Sequence, residues 1–192
     1  MSPDHANYGP MQVQAHALSD LEKQELAAAK AIAQESLQSR YQKTGIWAGS
    51  THFSDLWVRD ACFASYGALA LGDTEIVRTS LKTIFSNVRD DGLLPLRVGE
   101  KIFLAKFLGL NQWLPTPQGP TYIEDKYVST AMDSNPLSIT LFANYIKQSG
   151  DTVFLHIYFE ALVSSFKWMI QQLDSDYLTA EGPYGGWADS IR

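Results

Sequence analysis

The sequence holds a single cysteine, Cys62, among 192 residues. A disulfide framework is therefore excluded, and a reducing cytoplasmic compartment is the expectation. Positive charge is also scarce: 15 Lys+Arg against 21 Asp+Glu leave a net charge of −6. Without Lys/Arg blocks, neither nucleic acid nor an anionic membrane is the expected partner. No apolar run approaches the roughly 20 residues of a membrane-spanning helix. Met1 to Ala17 lack the basic start and apolar stretch of a secretory signal. The histidines His5, His16, His52 and His156 show no metal-ligand spacing, so no metal is expected. No glycine-rich phosphate loop is present.

What remains is 45% hydrophobic and 12% aromatic, which suits one globular domain with a real core. Residues 1–18 are polar, carry Pro3 and Pro10, and read as a loose arm. A capping box, Ser19 to Glu22, opens a helix that runs to about Arg40. Residues 41–55 read as a Gly/Ser/Thr-rich loop. Leu56 to Leu71 read as a helix with no charge after Asp60, apolar all round and so expected to be buried on all sides. Gly72 ends it and Asp73 caps an amphipathic helix over 74–89. Residues 90–132 are read as mostly irregular, with a short helix possible around 101–110. Such a long loop is usually functional. Asn135 caps and Pro136 opens a second nearly uncharged helix to Ser149. Gly150 stops it, and Asp151 caps an amphipathic helix over about 152–173. The last residues read as a loop entering one more helix.

Gly-Asp-Thr occurs at 72–74 and again at 150–152, each time joining an uncharged helix to an amphipathic one. Its physical content is a tight αα-hairpin. Stacked hairpins, buried helices inside and amphipathic ones outside, account for the alternation. The inner helices then run parallel, and their N-termini gather at one rim. Three acidic clusters fall there, two of them with a tryptophan: Trp57-Val58-Arg59-Asp60, Asp133-Ser134-Asn135 and Gly186-Trp187-Ala188-Asp189-Ser190. Four of the five tryptophans (Trp47, Trp57, Trp113, Trp187) lie in or beside these segments, and Trp168 lies in an outer helix.

Carboxylates beside flat rings suit a sugar, whose apolar faces stack on aromatics and whose hydroxyls bind charged groups. Cleaving a glycosidic bond needs one carboxyl to protonate the leaving oxygen and a second to activate water or attack the sugar. Taken singly, each residue has an ordinary explanation. Asp60 and Asp189 suit the helix dipole, worth about 0.3–1 kcal/mol. Asp133 could cap a helix, Arg59 could pair with a neighbouring acid, and Trp57 and Trp187 could be core rings. The coincidence at successive inner helices favours a site. Cys62, in an uncharged stretch, reads as a small core residue. Asp73 and Asp151 read as caps only.

Taken in order, D-L-W-V-R-D-A-C-F-A, D-D-G-L-L-P at 90–95, D-S-N-P-L, Q-S-G-D-T at 148–152 and G-G-W-A-D-S resemble the catalytic domain of glycogen-debranching amylo-α-1,6-glucosidases. Neutral and alkaline invertases resemble them almost as well. Both are six-hairpin (α/α)6 glycosidases, and the resemblance covers roughly residues 45–192. It implies an all-α toroid and inverting hydrolysis without a cofactor. By position, Asp189 would be the general acid. Arg59 and Asp60 would hold hydroxyls of the terminal sugar, Trp57 would be a wall, and Asp133 and Trp187 would line the sugar site.

An inverting enzyme needs a second carboxylate about 6.5–9.5 Å from the acid, and in this family the base lies beyond the acid in sequence. A twelve-helix barrel needs about twice the helices counted here. The expectation is therefore that residues 19–192 are the N-terminal part of such a domain, inactive alone. A sibling expectation is a sucrose-cleaving, invertase-like enzyme. A rival of another class is a non-catalytic helical sugar-binding or interaction module.

Overall fold

A computed structural model of the chain describes residues 17–50, 53–100, 118–122 and 130–179. The expected rim residues Trp187 and Asp189, the ring Trp113, the possible helix at 101–110 and the final helix lie outside the described residues. Contacts divide the chain into two units, Met1–Glu35 and Ser36–Arg192.

In the first unit, helix α1 (Asp20–Gln38, whose last residues belong to the second unit) opens at the expected capping box. The Ser19 amide and hydroxyl both donate to the Glu22 carboxylate, at 2.8 and 2.7 Å, and the Glu22 amide donates back to Ser19 Oγ at 3.3 Å. Two orphan donors of the first turn are thereby satisfied. The Ser19 hydroxyl and then its amide hold the Glu22 carboxyl below its ordinary range. No residue of α1 is buried.

The second unit is helix-rich with two small antiparallel sheets, so the all-α expectation describes its helices and omits its strands. β1 (Tyr41–Gln42) and β2 (Gly45–Ile46) form a hairpin inside the segment expected to be loop. Gly45 turns it with φ +124°, and a Cβ there would lie 2.6 Å from Ser80 Oγ. Only glycine suits both demands. The second sheet orders β3 (Leu56–Trp57), β4 (Arg97–Glu100) and β5 (Gln118–Thr121), all antiparallel, and the last two fall in the segment expected to be irregular.

The helices follow the expected punctuation. α2 spans Val58–Leu71 and α3 spans Thr74–Phe85, joined at Gly72 with φ +83°. α4 spans Ser134–Ser149 and α5 spans Thr152–Gln171, joined at Gly150 with φ +67°. Both glycines take the left-handed conformation that closes a helix at least cost. The two Gly-Asp-Thr joints thus build the same turn.

The hairpins stack in parallel. Arg59 meets Asp133 near the start of α2 and α4, Cys62 Sγ lies 3.6 Å from Ser138 Oγ one turn on, and Gln148 Nε2 donates to the Leu69 carbonyl near their ends. The contacts rise together along both helices, so α2 and α4 point the same way. α3 and α5 do likewise: Arg78 pairs with Asp151, and Ser86 Oγ lies 3.0 Å from Tyr158 Oη. An aromatic cluster locks the stack. Phe142 of α4 packs edge-on against Phe85 of α3 at 5.1 Å and stacks on Phe154 of α5 at 5.4 Å. Each such ring removed from water contributes about 1.5–3 kcal/mol.

Neither joint aspartate is only the cap expected of it, and Asp73 is not a side-chain cap at all. Asp151 caps the Phe154 amide as expected, but it also accepts from Arg78 and from the Tyr145 hydroxyl. Asp73 occupies an N-cap position without a side-chain cap bond; its carboxylate accepts from Gln38 Nε2 and the Tyr41 hydroxyl instead.

Two expectations about helix surfaces are corrected. α2 is not covered on all sides. It buries Val58, Ala61, Cys62, Ser65, Ala68 and Leu69, one face at helical spacing, and exposes Phe63 and Tyr66. α5 does not present a polar outer face: it buries Phe154, Ser165 and Trp168 and exposes Val153, Ile157, Phe159, Phe166 and Ile170. The expectation that no apolar run is long enough to span a membrane is corrected too: by length and composition alone α5 is apolar enough to cross one, at mean hydropathy 1.3, although its buried face belongs to the core.

Candidate functional site

The candidate site lies where α2 and α4 begin. Trp57 is the last residue of β3 and the N-cap of α2, in an extended conformation. The Val58 amide donates to the Leu96 carbonyl at 3.0 Å, and Trp57 sits opposite Arg97 in the β3–β4 ladder. The strand fixes the tryptophan, and the helix that follows carries Arg59 and Asp60 on its first turn.

Arg59 Nε donates to Asp133 Oδ2, a pair formed across 74 residues of sequence, with side chains 19% and 23% exposed. Asp133 stands at the N-cap position of α4, and its carbonyl accepts from the Leu137 amide at 3.1 Å. Its carboxylate, however, makes no cap bond. The carboxylate is directed to Arg59, not to its own helix.

Three buried polar atoms here have no hydrogen-bond partner among the described residues: Trp57 Nε1, Asp133 Oδ1 and Ser134 Oγ. Unmet buried donors and acceptors are costly and rare, roughly 1–3 kcal/mol each. They are an indole N–H donor, a carboxylate acceptor and a hydroxyl of either sense. Asp60, in the first turn of α2, is exposed.

Asn135 takes a different part from the one expected. It is not the cap of α4 but a fully buried clamp. Its amide nitrogen donates to the Gly92 and Ser165 carbonyls, each at 3.0 Å, and its oxygen accepts from the Leu94 amide at 3.0 Å. The D-D-G-L-L-P segment is thereby held between α4 and α5. Gly92 has φ +97°, and a Cβ there would lie 2.3 Å from the Ser164 carbonyl oxygen. Leu93 and Leu94 are buried, and Asp91 closes the turn on Arg89 through two bonds of 2.8 and 2.7 Å. That motif has a scaffolding role.

Cys62 is buried in the core, as expected of a small core residue. Burial pushes its thiol up to about 12, outweighing the Ser138 hydroxyl, so it is no nucleophile. Trp47, grouped with the rim by sequence, is partly buried against the core and donates its indole N–H to Thr44 Oγ1 at 2.8 Å. Trp168 is a core ring of α5.

Some site neighbours escaped the sequence reading. Arg97 Nη1 donates to Asp55 Oδ2 at 2.9 Å, with side chains only 14% and 7% exposed. The Arg97 guanidinium lies over the Trp57 ring at 5.8 Å, and Phe53 meets that ring edge-on at 5.5 Å. Their only signal in the sequence is Asp55 two residues before Trp57. The strand that delivers Arg97 is too short for a legible alternation. Among the described residues no group of three or more His, Cys, Asp or Glu is placed to hold a metal ion.

Comparison with known proteins found no protein-family model that matches the chain and no curated protein that matches it.

Proposed function

We propose that the protein is a glycoside hydrolase of the six-hairpin type, acting on α-glucosidic bonds of a glucan or oligosaccharide by inverting acid/base chemistry. In this reading Trp57, Arg59, Asp60, Asp133 and Trp187 form the subsite for the terminal sugar, and Asp189 protonates the leaving oxygen. No cofactor takes part.

The observation that carries the reading is the Arg59–Asp133 pair beside Trp57 at the common end of two parallel helices. A guanidinium on one carboxylate oxygen leaves the other to accept from a sugar hydroxyl, and the indole N–H supplies a donor nearby. Two hairpins joined by the same left-handed Gly-Asp-Thr turn and stacked in parallel are the unit from which a six-hairpin toroid is built. In the inverting mechanism the base activates a water on the face of the sugar opposite the acid. The Arg59–Asp133 frame would orient the ring between the two, and such orientation contributes to the rate by holding the reacting atoms close.

The test is to assay the full-length gene product on malto-oligosaccharides, an α-1,6-branched oligosaccharide and sucrose. Release of glucose from the glucosides supports the reading. Cleavage of sucrose alone moves it to the invertase-like sibling. Sugar affinity without turnover, kept in Asp189→Asn, supports the binding-module alternative and removes the enzyme.

A further inference from the structure

Trp57 is not held by packing alone. In the antiparallel pairing of β3 with β4, Leu56 stands opposite Val98 and Trp57 opposite Arg97. One step further along the same register, Asp55 faces Gly99. Residues two apart on a strand share a face, and directly opposite residues share it too. Asp55, Trp57, Arg97 and Gly99 therefore lie on one face of the two strands. A Cβ at Gly99 would lie 2.2 Å from the Asp55 carboxylate, so the missing side chain leaves the space that this carboxylate fills. From there Asp55 reaches diagonally to Arg97 Nη1 at 2.9 Å, and the guanidinium lies 5.8 Å from the centre of the Trp57 ring. Attraction of a guanidinium to an indole acts within about 6 Å of the ring centre.

We propose that Arg97 and Asp55 are positioning residues of the sugar site, with Gly99 making room for them: Asp55 holds the Arg97 guanidinium on Trp57 and so fixes the indole as a wall of the subsite. The proposal rests on the reading of that site as a sugar site. A nearly buried ion pair adds little net stability over an apolar pair of the same size, whereas a planar, ion-paired guanidinium gives a ring a fixed orientation. The guanidinium of the pair also lies over the ring of a residue whose indole N–H lacks a partner among the described residues. Neither residue touches the sugar; both act through Trp57.

The experiment labels the full-length gene product with 5-fluorotryptophan and follows the fluorine resonance of Trp57, assigned by its loss in Trp57→Phe. In Arg97→Met and in Asp55→Asn the Trp57 resonance is expected to shift or broaden, while that of Trp168 in the core of α5 stays in place. KM for a malto-oligosaccharide is expected to rise about tenfold, between the sizes of an exposed and a desolvated cation–π contact, with kcat changed less. Arg97→Lys keeps the charge but not the planar fork, and it should restore only part of the effect. If Arg97→Met does not fold, Arg97→Lys carries the same test. A Trp57 resonance and a KM both unchanged in a folded Arg97 variant overturn the proposal and leave the sugar reading standing. A wild-type protein that takes no glucoside, yet whose Trp57 resonance follows Arg97 and Asp55, removes the sugar reading and supports the positioning.

Discussion

Arg59, on the first turn of α2, and Asp133, at the N-cap of α4, are joined as an ion pair across 74 residues of sequence. The pair exists because the Gly-Asp-Thr turn at 72–74 sends α3 back along α2, so that α4 starts again at the end where α2 began. It spends a helix-terminal carboxylate on a neighbour when the helix could have used it as a cap.

Asp133→Asn keeps the size of the side chain and removes its charge. A hydrogen bond to a charged group contributes about 1.5–3 kcal/mol. The expected result is a fall of about 10–100-fold in kcat/KM on the preferred glucoside. Stability should change by no more than about 1 kcal/mol, because the pair is partly open to solvent. Unfolding in urea beside steady-state kinetics separates the two effects.

Asn135→Ala should act on stability first. The substitution deletes three buried hydrogen bonds that hold Gly92 and Leu94 to α4 and α5. At about 1 kcal/mol each, the loss is about 3 kcal/mol, and more where a freed group stays buried. Asn135→Asp should cost at least as much, since a carboxylate oxygen would face two carbonyls. Urea midpoints of the two variants check the order.

Cys62 should resist thiol reagents in the native protein, being fully buried with its thiol pushed up to about 12. It should react at once after denaturation. Cys62→Ala should keep turnover. Rapid native labelling, or loss of turnover in a stable Cys62→Ala, would contradict the core assignment.

Acid should destabilise the fold through carboxyls held below their ordinary range. The Arg89 side chain brings Asp91 down to about 2, and hydrogen bonds lower Asp73 and Asp151. A carboxyl whose folded pKa is depressed stabilises the fold above its unfolded pKa, about 3.9. That contribution is lost as pH falls through the folded value. For Asp91 the window runs from about pH 4 down to about pH 2. Thermal melts across it should show a shallower acid limb in Asp91→Asn than in wild type.

Much of this architecture was legible because its punctuation is local. Gly72 and Gly150 end helices in a conformation other residues avoid, and the capping box marks the start of α1. The parallel run of α2 and α4 followed from the alternation of inner and outer helices, so Arg59 and Asp133 could be expected at one end, though not as a pair. The small sheet could not. Its strands are two and four residues long, β5 contains Pro120, and their pairing spans tens of residues. Arg97 and Asp55 were hidden with it. Asn135 was misread because Asn before Pro carries the signature of a helix cap; only the fold shows Gly92, Leu94 and Ser165 converging on its amide. The apolar faces of α2 and α5 misled for a similar reason. Composition reports that a face is apolar and is silent on whether anything covers it.

The most direct test of the central claim is proton NMR of the sugar anomer first released when the full-length gene product acts on a malto-oligosaccharide, run beside Asp189→Asn. The account predicts β-glucose from an α-linked substrate, formed by the wild type and lost in the variant. Initial release of α-glucose, or turnover undiminished in Asp189→Asn, would contradict it.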